Sequence, residues 1–156
     1  GLGYAVSGWS RQPRNIEHVR CVHGCDALGS LLQETDVLFS ILPSTDETQH
    51  LLDAKHLALL PKDAALINAG RGTLLDEDAL LNLLNQQHLR FVLLDVFATE
   101  PLPAAHPFWQ HPAVIITPHV AADTIPEEAV AQISANMQAL ASGHPVQGQV
   151  DRQRGY

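Results

Sequence analysis

Basic side chains are scarce in this chain. Nine Lys and Arg stand against seventeen Asp and Glu, for a formal net charge of -8. Sequence-independent nucleic-acid binding needs a basic face that neutralises phosphates, so the balance argues against nucleic acid as a partner. Long apolar runs are missing too. None approaches the roughly 20 residues of a membrane-crossing helix, and no basic-then-apolar leader opens the chain. A soluble, cytoplasmic protein with no membrane partner is expected. Cysteine occurs twice, as Cys21 and Cys25 around His23 in Cys-Val-His-Gly-Cys. Three ligands in five residues do not complete a four-ligand site, and the spacing matches no common zinc pattern. Two reduced thiols and no metal are the expectation. No internal repeat or low-complexity tract interrupts the 156 residues, whose 46% hydrophobic and 17% charged side chains suit one globular domain with a sizeable core.

What the chain does have is an alternation of short apolar runs with helical patterns. Tyr4-Ala-Val-Ser-Gly-Trp-Ser10-Arg11 reads as a strand ending in polar residues. A helix follows, with Asp26 as its N-cap and Leu28, Leu31 and Leu32 on one face. Strands are expected over 36–42, 64–68, 91–97 and 114–117. Helical pattern fills 48–60, a second helix opens at Asp76 with leucines at 80, 81, 83 and 84, and a last one runs from Pro126 to about Ser142. Such alternation implies right-handed crossovers and a parallel sheet. The strands are continuously apolar, as expected when both sheet faces are covered. Residues 101–112 are proline-rich and read as an ordered, irregular loop over the ligand edge.

The fold class is therefore α/β, a Rossmann-like doubly wound parallel sheet. Gly1-Leu-Gly3 looks like the start of a dinucleotide fingerprint but fails as one, because Val6 stands where its third glycine belongs and no helix separates it from the strand that follows. It reads instead as a helix end leading into the second strand of such a domain. The first strand and the glycine-rich turn are then not in this chain, and the first strand is central in the usual order.

The chemistry-bearing residues gather at strand ends, where open α/β sheets place their ligands. Arg71 sits between two glycines after an apolar run, and a guanidinium can take a carboxylate with two parallel hydrogen bonds. Alone, it could equally pair with a helix end or with Asp76. Glu100 and His119 end the next two runs. A carboxylate beside an imidazole favours the protonated ring and makes a proton donor or acceptor for a carbonyl. Singly, each has a plainer role, the glutamate in a solvated loop and the histidine half-buried. His50, His56, His88 and His144 are expected at the surface. Asp95 could take a ligand amide or cap a turn. Ser10 and Arg11, with Arg14 nearby, stand where an acidic residue usually holds an adenosine ribose hydroxyl. A serine and arginines there suit a 2′-phosphate, which makes NADPH (NADP+) the expected cofactor; read singly, the plainer role is a solvated basic pair.

In order, Leu42-Pro43-Ser-Thr-Asp-Glu-Thr48, Asn68-Ala-Gly-Arg71-Gly72, Leu94-Asp95-Val-Phe-Ala-Thr-Glu100-Pro101 and Thr117-Pro-His119-Val-Ala-Ala resemble the D-isomer-specific 2-hydroxyacid dehydrogenases. By that resemblance, Arg71 binds the substrate carboxylate and polarises the carbonyl, His119 is the proton donor, and Glu100 is its partner. Asp95 meets the nicotinamide carboxamide, Leu42 and Pro43 line the adenosine side, and Ala69 also contacts the cofactor. Trp9-Ser-Arg11, Pro107-Phe-Trp109-Gln-His-Pro112 and the ending from Gly143 to Tyr156 are similar to a bacterial subgroup of that family. The subgroup reduces glyoxylate to glycolate and hydroxypyruvate to D-glycerate with NADPH, as a cytoplasmic homodimer about twice this long. The resemblance implies a dinucleotide-binding domain over 1–143, short of its amino end. It makes 144–156 a tail returning to a substrate domain. Two other readings stay open: a non-catalytic dinucleotide-sensing module, since relatives include transcriptional corepressors, and an inactive truncated remnant.

Overall fold

The computed structural model describes residues 3–152. The Gly1-Leu start of the supposed fingerprint and the last four residues of the tail lie outside the described residues. Two parallel sheets organise the chain. β1 (Ser7–Ser10) pairs with β2 (Arg20–His23), and β3 (Val37–Ser40), β4 (Ala65–Asn68), β5 (Phe91–Leu94) and β6 (Val114–Ile116) pair in that order. Every ladder is parallel. A parallel strand inserted between β1 and β3 would give the order 3-2-1-4-5-6 of a doubly wound domain, extended by a seventh strand. The gap between the two sheets lies where a doubly wound domain has its central strand.

Helices α1 (Cys25–Gln33), α2 (Ala54–Leu57) and α3 (Glu77–Asn85) precede β3, β4 and β5, and α4 (Pro126–Ala141) follows β6. Leu28 and Leu32 of α1, Leu57 of α2, and Leu80, Leu83 and Leu84 of α3 pack into one core with Leu66, Val92 and Leu94 of the sheet. Leu66 and Val92 are register partners and both are fully buried. The opposite face of the sheet is more open at its outer strands: Val37 and Phe39 of β3 and Ile115 of β6 are about half exposed. Apolar continuity in these strands therefore accompanies one covered face among the described residues, where both were expected. α4 buries no residue, and Val130, Ile133, Met137 and Leu140 point outward along it.

Several expected elements shift. β2 was not anticipated, and Cys21 and His23 lie on it while Cys25 begins α1. Its only long aliphatic residue is Val22, too little for a periodic signal, and pairing with β1 makes it a strand. Gly24, at φ 80°, precedes α1, so Asp26 sits in the first turn rather than at the cap. There its charge still complements the helix dipole. The helical pattern over 48–60 condenses into one turn, α2, capped by the Asp53 carboxylate accepting from the His56 amide. Asp76 caps α3 as expected, accepting from the Ala79 amide at 2.9 Å. The loop over 101–112 contains a short 3-10 helix, Pro107–Gln110, that buries Phe108. After α4 the tail turns back on it, because Asn136 exchanges two hydrogen bonds with the Gln147 backbone.

Candidate active site

Three carboxyl ends meet at one edge of the four-stranded sheet. Beyond β4, the side chain of fully buried Asn68 donates to the Arg71 carbonyl at 3.0 Å and accepts from the Gly70 amide at 3.2 Å. These bonds curl the loop and present Arg71 to solvent. The loop also packs without room to spare. A Cβ on Gly70 would lie 2.8 Å from the Leu42 carbonyl oxygen, and one on Gly72 would lie 1.8 Å from the Phe97 carbonyl carbon. Glycine at 70 and 72 is thus required by the neighbouring backbones of the β3 and β5 ends. Arg71 Nη1 donates to the Gly70 carbonyl at 2.7 Å. The alternative partner Asp76 has its carboxylate engaged at the start of α3.

Beyond β5, Asp95 is 1% exposed and takes three donors from the end of β6. They are the Thr117 hydroxyl, the Val120 amide at 3.0 Å and the Ala121 amide at 2.9 Å. Burial pushes the Asp95 carboxyl up, but those donors and the charge of His119 outweigh it and hold it below the ordinary range. One carboxylate therefore fixes the residues on both sides of His119. That matters because His119 has φ 56°, a left-handed backbone that costs energy in a residue with a side chain.

Glu100 meets His119 across the same edge, with Oε2 2.8 Å from Nδ1. Its other oxygen accepts from the Phe97 amide at 2.9 Å. The hydrogen bond from His119 and the one from Phe97 lower the Glu100 carboxyl, burial opposes them, and the charges of His119 and Arg71 add to the lowering. Glu100 is thus an anion at neutral pH, and Arg71 is near enough to act on it. With Nδ1 committed to Glu100, Nε2 is the ring atom left to exchange a proton with a ligand.

The remaining expected residues spread toward the other sheet. Ala69 donates its amide to Ser40 at the end of β3, and Leu42 and Pro43 follow directly. The Pro43 carbonyl accepts from the Thr48 hydroxyl at 2.7 Å, which folds the loop after β3. Ser10, at the end of β1, donates to the Gln12 carbonyl at 2.7 Å. Arg11 forms an ion pair with Glu47 of the loop after β3 and so spans the gap between the sheets. Arg14 is exposed. The structure thus brings Arg71, Glu100, His119 and Asp95 together and sets Ser10, Arg11 and Arg14 on the far side of the gap.

Two groups escaped sequence reasoning. Asn68 and Thr117 shape the loops through the bonds just described, and each was visible only as a polar residue ending an apolar run. Among the histidines, His50 and His144 are exposed as expected, but His56 and His88 are half-buried. His56 Nδ1 lies 2.9 Å from Asp53, and His88 Nε2 lies 2.8 Å from the Leu60 carbonyl. Among the described residues no group of three His, Cys, Asp or Glu side chains is placed to hold a metal ion.

Comparison with known proteins gives this geometry a family. The model for the NAD-binding domain of D-isomer specific 2-hydroxyacid dehydrogenases matches residues 1–121. Glyoxylate/hydroxypyruvate reductase A of Serratia proteamaculans is 46% identical over 99% of this chain, which covers 50% of that protein. The reductase A of Escherichia fergusonii is likewise 46% identical, with 99% of this chain matched to 49% of its own length. The chain spans about half the length of these curated relatives. A D-isomer specific 2-hydroxyacid dehydrogenase of Xanthobacter autotrophicus Py2, solved with NADPH and MES, superposes with a TM-score of 0.96 at 44% identity, over 99% of this chain and 64% of that one. An NADPH-dependent glyoxylate/hydroxypyruvate reductase of Sinorhizobium meliloti, solved with NADP and sulfate, gives 0.93 at 35% identity, over 99% of this chain and 50% of that one. The chain belongs to the D-isomer specific 2-hydroxyacid dehydrogenase family, through that family's NAD-binding domain.

Proposed function

We propose that this chain is the dinucleotide-binding half of an NADPH-dependent reductase acting on a small 2-oxo acid, converting glyoxylate to glycolate and hydroxypyruvate to D-glycerate. The observation that carries the reading is the Glu100–His119 pair, held at a strand edge within reach of the Arg71 charge. The relatives named for glyoxylate and hydroxypyruvate, and those solved with NADPH or NADP, support it. In its full-length form the reading includes a cytoplasmic homodimer, with residues 144–156 returning to a substrate domain.

The donor set fits parts of the cofactor. The Ser10 hydroxyl and the guanidinium groups of Arg11 and Arg14 suit a ribose 2′-phosphate. Leu42 and Pro43 would line the adenosine side, and Ala69 would also contact the cofactor. Asp95 spends three acceptor positions on Thr117, Val120 and Ala121. A carboxylate has about four, so one remains for the nicotinamide carboxamide.

NADPH, when bound, supplies a hydride to the carbonyl carbon. Arg71 holds the carboxylate of the 2-oxo acid through paired hydrogen bonds and draws electron density toward the carbonyl oxygen. His119 gives that oxygen a proton from Nε2. Glu100, already anionic, orients the ring through Nδ1 and stabilises its charged form before transfer. In the oxidation direction the same nitrogen accepts the proton.

The test is turnover of NADPH with glyoxylate in a chain extended to the length of its relatives. Arg71→Ala and His119→Ala are each expected to lower turnover by about 10²–10⁴, the range for losing a general acid or a positioned charge. Circular dichroism and melting temperature should stay near those of the parent. Near-normal turnover in both variants would overturn the reading.

A further inference from the structure

The turn carrying Glu100 is anchored by a residue outside the acid pair. Two successive amides of this turn point at two different glutamates. The Phe97 amide donates to Glu100 itself, and the Ala98 amide donates to Glu77 Oε1 at 2.9 Å. Glu77 opens α3, six residues beyond Arg71. Its side chain is 20% exposed, and Oε2 lies 3.7 Å from His106 Nε2. The Arg71 loop already touches this turn, since a Cβ on Gly72 would be 2.0 Å from the Phe97 oxygen and 2.4 Å from the Ala98 nitrogen. Close backbone contact at Gly72 sets the distance between the two loops. A hydrogen bond from Ala98 to Glu77 sets their rotation.

We propose that Glu77 is a positioning residue for the acid pair: by holding the Ala98 amide it fixes the turn that presents Glu100 to His119 and sets that pair against Arg71. The proposal rests on reading Glu100 and His119 as the acid pair. It assigns Glu77 no contact with substrate. His106 flanks the other Glu77 oxygen, packs against Phe108 with the rings tilted by 57° and their centroids 4.6 Å apart, and accepts from the Phe108 amide. It therefore ties the same glutamate to the loop that follows Glu100.

A competing account is purely local. Glu77 lies in the first turn of α3, where any negative charge stabilises the helix. Two substitutions separate these roles. Glu77→Gln removes the charge and keeps an oxygen that can accept from Ala98. Glu77→Asp keeps the charge and is one methylene too short to reach. The readout is the titration of the Glu100 carboxyl carbon by NMR, together with kcat and KM for NADPH-dependent glyoxylate reduction, in the full-length protein.

In Glu77→Asp the Glu100 carboxyl should titrate at higher pH than in the parent, because its bonds to Phe97 and His119 loosen. In Glu77→Gln it should titrate as in the parent. In Glu77→Asp kcat should fall about tenfold or more, as for a misplaced catalytic group, with KM changed less than about twofold. Glu77→Gln should recover most of that loss. The opposite pattern, with Gln shifted and Asp unchanged, would assign Glu77 to the helix charge and overturn the proposal. So would an unchanged Glu100 titration in both variants. A shifted titration with no turnover in the parent would leave the positioning role standing and refute the reductase reading instead.

Discussion

The two sheets of this molecule are built from similar strands and held by different means. In the four-stranded sheet, β4 and β5 each have a partner on both sides, and their inward residues vanish into a helix-covered core. Its carboxyl edge is locked by backbone contact at Gly72, by buried Asn68 and by the three-donor Asp95. In the two-stranded sheet no residue of β1 or β2 is fully buried, and its carboxyl end reaches the other sheet through the Arg11–Glu47 ion pair. Proton-transfer geometry tolerates little error, and the residues assigned to it sit on the locked sheet. The residues proposed for a 2′-phosphate, Ser10, Arg11 and Arg14, sit at the end of the loose one.

A single methyl group on each sheet gives the largest contrast. Gly72→Ala would put Cβ 1.8 Å from the Phe97 carbonyl carbon, where neither backbone can yield without separating β4 from β5. The expected loss is above about 3 kcal/mol, beyond the usual range for overpacking, seen as a collapsed melting temperature. At Gly8 on β1 the same methyl meets Val19 Cγ1 at 3.6 Å, an ordinary contact. Gly8→Ala should change stability by less than about 1 kcal/mol, and in the stabilising direction if the unfolded chain loses freedom. Equal losses at the two glycines would mean the sheets are equally tight.

Truncation of apolar side chains should separate the sheets by a smaller margin. Leu66, in β4, is fully buried beneath the helices. Leu66→Ala should cost about 2–5 kcal/mol, from lost transfer free energy and the cavity left behind. Val22, in β2, is half-buried. Val22→Ala should cost about 1 kcal/mol, since only part of a valine's transfer energy is at stake. Urea unfolding measures both. A Val22→Ala cost as large as that of Leu66→Ala would show β2 packed against something these strands do not supply.

The same contrast explains what the sequence made legible. β3 to β6 announce themselves because each begins as an apolar run, buried in β4 and β5 and more open in β3 and β6, and the site residues fall where those runs turn polar. β2 is hidden because a strand on an open sheet needs no apolar run, only a neighbour to pair with. The expected helix over 48–60 shrank to α2 because its leucines serve separate loop contacts. Leu52, for instance, donates its amide to the Leu74 carbonyl rather than within a helix. Glu77 was masked differently. An acidic residue after an Asp N-cap reads as an ordinary helix start, and only the fold brings the Ala98 amide to it.

Acid should act on the locked edge and cost the least of the three perturbations per group. Asp95 and Glu100 are both lowered in the folded protein. In acid the unfolded chain therefore binds more protons than the folded one. The stability these carboxylates contribute is complete above their ordinary titration range, and it is lost as pH falls from that range through the lowered folded values. Melting temperature should be insensitive to these two groups from neutral pH down to that range, and fall below it. Asp95→Asn keeps an acceptor for one or two of the three donors but cannot titrate. It should start lower at neutral pH and show a shallower acid slope than the parent. Hydrogen exchange on the acid side should open the Val120 and Ala121 amides first, since Asp95 is their acceptor. Earlier opening of the ladder between β1 and β2 in acid, with these two amides still protected, would place the acid-sensitive point on the loose sheet and reverse the comparison.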